Sequence, residues 1–182
     1  NKLNIIYEDA LNFDIRMLNN FPFKIISNLP YNISTVLLIK WLTSNICNTN
    51  CLSLTLMFQK EVAERIVAKT GSSSRSRISL ISELYTNPKL VLKVSSGSFI
   101  PKPKVDSALI YFEILKEPRY KINLNRFKII VDAAFNQKRK MVRSSLKNIF
   151  PNTTLALQKV GIEETKRPQS IDLKFFCDLS LI

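Results

Sequence analysis

Histidine is absent from this sequence, and glycine and cysteine occur only three times each. Without histidine, Ser-His-Asp and Cys-His nucleophiles and most zinc patterns are excluded. Cys47, Cys51 and Cys177 are odd in number, and Cys47/Cys51 has no second pair, so no metal is expected. Free, buried thiols in a reducing cytoplasm fit this usage. Gly71, Gly97 and Gly161 are too scattered to build a G-x-G loop. No run of about 18 uncharged apolar residues exists, so no membrane span is expected. The opening Asn1-Lys2-Leu3-Asn4 does not read as a signal peptide.

Acidic residues are also scarce: 14 Asp/Glu stand against 27 Lys/Arg, a net charge of +13. Such an excess points to a polyanionic partner. It is densest at the carboxyl end, where residues 118–182 hold 13 basic and 5 acidic side chains, against 14 and 9 in residues 1–117. The 46% apolar content is ample for a core, and 182 residues suit one domain or one with a small appendage.

The most informative stretch is Asn28-Leu29-Pro30-Tyr31. It follows the apolar run Phe23–Ser27 and precedes a second run from Ser34, so it reads as the carboxyl end of a strand, where open α/β sheets bind ligands. The Asn28 side-chain oxygen and the Leu29 carbonyl are two acceptors, and Pro30 biases Leu29 toward an extended, stiff conformation. Two fixed acceptors can grip one NH2 group. The amino group of a nucleobase is a poor nucleophile because its lone pair is delocalised. Accepting both hydrogens favours a pyramidal nitrogen that can attack an electrophilic methyl group, and Tyr31 offers a face for stacking. Such a reaction rests on positioning and charge stabilisation and needs no metal. The same four residues would also serve as a plain turn.

Leu3–Tyr7 reads as a short β-like run ended by Glu8-Asp9, where Asp9 would serve as a turn residue. Ser34-Thr35 would cap a largely buried helix containing Trp41 as a core residue. Cys51–Phe58 alternates as a strand. Lys60–Lys69 forms an amphipathic helix with Val62, Ile66 and Val67 on one face and a Glu61/Arg65 pair. Thr70–Arg77 is a flexible basic loop that either links or touches phosphate through Arg75 and Arg77. A helix over Ile78–Tyr85 and strands over Leu90–Val94 and Leu109–Leu115 follow. Between those strands, Ser95–Ser107 carries Phe99, Pro101 and Pro103 with Lys102 and Lys104, and Phe99 would at least anchor the loop to the core.

After Glu117-Pro118 the pattern is helical throughout. Leu124–Phe135 carries an apolar face. Asn136–Lys147 has five basic residues and no acid, with Met141, Val142 and Leu146 expected inward. Lys138, Arg139, Arg143 and Lys147 would then face an RNA backbone or simply water. Leu155–Val160 and Leu173–Leu181 complete a small bundle through Gly161 and the Lys166-Arg167-Pro168 turn. The division expected is a domain over 1–117 and a helical RNA-binding domain over 118–182.

Three ordered blocks, Lys24–Thr35, Gln59–Lys69 and Phe99–Ser107, closely resemble the KsgA-type ribosomal RNA adenine N6-dimethyltransferases, with the Erm methylases as relatives. The resemblance covers essentially the whole chain. It implies an α/β, Rossmann-like methyltransferase domain and transfer of methyl groups from S-adenosylmethionine to two adjacent adenosines near the 3′ end of small-subunit rRNA. It assigns Asn28, Leu29, Pro30 and Tyr31 to catalysis, Tyr31 and Phe99 to the walls of a slot for a flipped adenine, and Asp9 with Asn28 to the cofactor. The partner implied is the immature small ribosomal subunit, bound by a cytoplasmic monomer.

The family's glycine-rich cofactor loop has no counterpart here, so the expectation is a methyltransferase domain truncated at its amino end, with weak cofactor binding and an inactive isolated chain. A fragment that only binds rRNA, an Erm-type large-subunit methylase and a DNA-binding mitochondrial transcription factor of the same fold are the alternatives. The intact tetrapeptide and the Phe99 block count against the last.

Overall fold

The computed structural model describes residues 3, 5–18 and 20–182. Four strands form one sheet: β1 (Phe23–Ser27), β2 (Cys51–Gln59), β3 (Thr86–Val94) and β4 (Ser107–Ile114), in the order β1-β2-β4-β3. β1 and β2 are parallel, joined through α1 (Tyr31–Thr43), as a crossover helix requires. β4 enters antiparallel between β2 and β3. The central strand β2 buries Leu54, Leu56, Met57 and Phe58, so it reads as a nearly continuous apolar run rather than a strict alternation.

Helices α2 (Lys60–Ile66) and α3 (Arg77–Tyr85) follow, and α4 (Leu124–Asn136), α5 (Val142–Ser145), α6 (Thr153–Lys159) and α7 (Leu173–Leu179) close the chain. Every helix or strand after Ile114 is helical. Asn123 and Asn152 cap α4 and α6 by accepting from the amides of Arg126 and Leu155. Gly161 ends α6 at φ 76°, a left-handed conformation that favours glycine. Buried side chains from the sheet side and from α4 to α7 belong to one continuous hydrophobic core. No helix among the described residues is long and apolar enough to cross a membrane.

The structure corrects several expectations. Leu3, Ile5, Ile6 and Tyr7 are exposed and lie outside any strand, because no described segment offers them a ladder; Asn4 of that run lies outside the described residues. Helix α1 begins at Tyr31, not Ser34: the Pro30 carbonyl accepts from the amides of Ile33 and Ser34, and Ser34 is a buried interior residue whose hydroxyl donates to the Tyr31 carbonyl. β3 starts at Thr86 rather than Leu90, directly after α3, and a register shift between Leu90 and Leu92 accompanies the longer strand. Val67 is the C-cap of α2, so the helix ends before Lys69. Cys51 and Cys177 are buried free thiols, but Cys47 is half-exposed. Desolvation pushes the Cys51 thiol up to about 11 and Cys177 to about 12.

Arg75 is the largest fully buried side chain, 1% exposed. Its Nη2 donates to Glu83 Oε2 at 2.9 Å and its Nη1 to the Ala68 carbonyl at 3.1 Å. The guanidinium therefore closes the 70–77 loop onto α3. Arg77 sits at the first turn of α3 and pairs with Asp132 of α4 at 2.6 Å, with both side chains about half exposed. Arg75→Ala should destabilise the fold by about 2–4 kcal/mol, since it strands the Ala68 carbonyl and leaves a void. Arg77→Ala should cost under about 1 kcal/mol. Urea unfolding of the two variants measures this, and equal losses would contradict the buried role of Arg75.

Candidate active site

β1 ends at Ser27, and the four residues that follow make the turn into α1. Pro30, at φ −54° and ψ 135°, precedes the helix without needing an amide donor. Leu29 is buried and pins the turn to the core, while Asn28 is exposed. Among the described residues nothing hydrogen-bonds the Asn28 carboxamide or the Leu29 carbonyl. Two acceptors at a strand end thus keep free lone pairs on a rigid backbone. Tyr31, the first residue of α1, is half-buried, and its hydroxyl is 2.5 Å from Ser107 Oγ at the start of β4.

Across from the tetrapeptide runs the segment between β3 and β4. Ser95 caps a short 3-10 turn at Ser96–Ser98, and Phe99 closes it in extended conformation. The Asp106 carboxylate accepts from the Ser96 amide at 3.0 Å, and the Asp106 carbonyl accepts from the Lys60 amide at 2.9 Å. These bonds fold the segment back over the sheet edge. Between it and the turn lies an open cavity of about 300 Å³, lined by Asn28–Tyr31, Met57, Phe99, Pro101 and Pro103. That volume is at the small end for ligand sites, sized for one flat heterocycle. The structure therefore brings Asn28, Leu29, Pro30, Tyr31 and Phe99 together. Sequence reasoning missed Met57, which looks like any apolar position of β2, and Ser107, whose place at the end of the Phe99 block was the available signal.

Asp9 is not among the residues lining this cavity. Its carboxylate accepts from the Leu11 amide at 2.9 Å and its carbonyl from Asn12 and Phe13, so it organises a turn. The basic residues separate into two groups. Arg75, buried against Glu83, presents no surface to a phosphate, which overturns the expectation that it reaches RNA, whereas Arg77 is paired with Asp132 and keeps a half-exposed side chain. Lys102, Lys104, Arg139 and Lys147 are exposed, and Lys138 is exposed while donating to the Ser73 carbonyl at 3.2 Å.

Arg143 is half-exposed but paired with Glu164 at 2.9 Å, a partner that the acid-free run conceals because it comes from beyond α6. Val142 and Leu146 are buried as expected, whereas Met141 is 43% exposed because it is the N-cap of α5. A polar cavity of about 750 Å³ gathers Lys140, Arg143 and Lys147 with Asn148 and Asn152, and no acid lines it. Another of similar size lies at the opposite end of β3 and β4, beside Thr86, Glu113, Arg119 and Tyr120.

A profile of the family described as ribosomal RNA adenine dimethylase matches residues 1–181. The chain is 44% identical over 179 residues to ribosomal RNA small subunit methyltransferase A of Cereibacter sphaeroides, covering 98% of this chain and 64% of that protein. It is 41% identical to the protein of the same name from Ehrlichia ruminantium, covering 98% and 67%. The crystal structure of a dimethyladenosine transferase from Plasmodium falciparum superposes with a TM-score of 0.81 at 27% identity, over all of this chain and 72% of that one. That of the 23S rRNA methyltransferase ErmE gives 0.63 at 24% identity, over 95% and 68%, a likeness of fold alone. The sheet and its helices thus have the Rossmann-like arrangement of these methyltransferases.

The bond from Ser96, helped by the nearby Lys60 and Lys102 charges, holds the Asp106 carboxyl below its ordinary value. Its contribution to loop order is thus present above the unfolded-state value of about 4 and is lost as pH falls through the lower folded value. Amide exchange at Ser96 should stay protected at pH 4 and above, and lose protection throughout in Asp106→Ala. Unchanged protection in that variant would contradict the tether.

Proposed function

This chain belongs to the ribosomal RNA adenine dimethylase family, and from that premise we propose that it carries the base-recognition part of a protein that dimethylates N6 of adenosine in small-subunit rRNA, with S-adenosylmethionine as donor. The observation that carries this reading is the pair of acceptors at Asn28 and Leu29, unpartnered among the described residues, beside a cavity walled by Tyr31 and Phe99. Asn28 Oδ1 and the Leu29 carbonyl accept the two hydrogens of the target amino group. The nitrogen lone pair is thereby localised and directed out of the ring plane. Tyr31 and Phe99 take the faces of a flipped adenine, and the prolines at 101 and 103 exclude water from its edge.

S-adenosylmethionine, when bound, supplies the electrophilic methyl group. Asn28, with a carboxamide uncommitted among the described residues, suits a hydrogen bond to that donor, and Asp9 retains acceptor capacity beyond its turn. Asn rather than Asp at position 28 leaves no fixed negative charge, which suits a site that must accept an already methylated nitrogen. The proton leaves from the methylated nitrogen to water.

The small-subunit substrate is supported by the names and identities of the relatives from Cereibacter and Ehrlichia, which exceed the identity to ErmE. RNA binding is spread over the exposed Lys102, Lys104, Lys138, Arg139 and Lys147, with Arg143 shared with Glu164. Residues 118–182 make up the RNA-binding domain in this reading, on a cytoplasmic monomer. Asn28→Ala, in a chain extended to the relatives' full length, should lower methyl transfer to immature small subunits by about 100-fold or more while RNA binding is retained. Replacing Lys138 and Lys147 together by Gln should weaken RNA binding at every sequence and reduce its salt dependence by roughly two counterions. Full activity in Asn28→Ala would overturn the assignment.

A further inference from the structure

We infer that Ser107 is a positioning residue for the target base: by anchoring the Tyr31 hydroxyl it sets the distance between the two aromatic walls. The inference rests on the reading of the cavity as a base slot. Tyr31 opens α1, so its backbone is fixed, but its ring remains free to swing about the Cα–Cβ bond. The single bond from its hydroxyl to Ser107 Oγ, 2.5 Å long, removes that freedom. Ser107 is itself immobile: it is fully buried and paired in register with Gln59 of β2 and Val94 of β3.

The residue before it holds the other wall. Asp106 ties the Ser96 amide, three residues before Phe99, and the Lys60 amide, the first of α2 and directly after β2. Two consecutive residues at the head of β4 therefore reference both walls to the same strand. Phe99 has no polar handle, so its position depends on the loop. Tyr31 has one, and it is committed to the scaffold rather than free for substrate. A phenylalanine at 31 would stack a base as well, so the hydroxyl is needed for placement rather than for stacking.

The probe is 8-vinyladenosine 5′-monophosphate, which keeps the 6-amino group, fluoresces in water and is quenched when stacked on aromatic rings. Titration with the chain should give saturable quenching. Tyr31→Phe and Ser107→Ala should each weaken binding about three- to tenfold and reduce the quench at saturation. The double variant should be no worse than either single one, because both remove the same bond. Ser107→Thr, which restores a hydroxyl, should recover the quench. Thermal unfolding accompanies each variant; if Ser107→Ala does not fold, Tyr31→Phe removes the bond from its more exposed end. If Tyr31→Ala and Phe99→Ala abolish quenching while Tyr31→Phe and Ser107→Ala match the parent, the inference alone is overturned. If the parent shows no saturable quenching, the base slot fails and the inference with it.

Discussion

The site depends on the insertion of β4 between β2 and β3. Its antiparallel register places Ser107 beside Gln59 and Val94, at the edge of the sheet where β1 and β2 both end. From that edge β1 delivers Asn28–Tyr31, β2 delivers Met57, and the return from β3 delivers Phe99. Shifting the β2/β4 pairing by one residue would turn Ser107 to the other face of the sheet and part the two walls. The buried apolar residues of β2 and β4 oppose such a slip, since Phe58, Ile110 and Phe112 would lose their place in the core. Packing energetics and site geometry are therefore the same constraint.

Charge is distributed by a different logic. Cations that stabilise the fold are neutralised locally: Arg75 by Glu83, Arg77 by Asp132, Arg143 by Glu164. Exposed cations outside these pairs include Lys102 and Lys104 in the loop over the cavity, and Lys138, Arg139, Lys140 and Lys147 in a segment where no acid intervenes in sequence. The residues left free are those that a phosphate backbone can reach without first breaking an ion pair.

Much of this was legible in the residues. The strand ending at Ser27, the stiff turn through Pro30 and the presence of β2 as a strand follow from local chemistry, though not its continuous burial, and the three sequence blocks singled out Phe99 as the opposite wall. Elements whose limits depend on tertiary pairing were not legible. The Pro30 carbonyl starts α1 three residues before the Ser34 cap that propensity favours, and β4 lengthens β3 back to Thr86. Arg75 looked like a surface cation because sequence gives no sign that Glu83, in the last turn of the next helix, would pair with it. Leu3–Tyr7 has strand-forming residues but no described neighbour to pair with.

The central claim is that Asn28 and the two rings grip one adenine. The most direct measurement is nuclear magnetic resonance of the chain, with labelled Asn side-chain amides and aromatic rings, titrated with adenosine. The account predicts that the Asn28 carboxamide and the rings of Tyr31 and Phe99 shift together with one binding curve. Shifts confined to Tyr120 and the cavity at the other end of the sheet, with Asn28 unmoved, would contradict it.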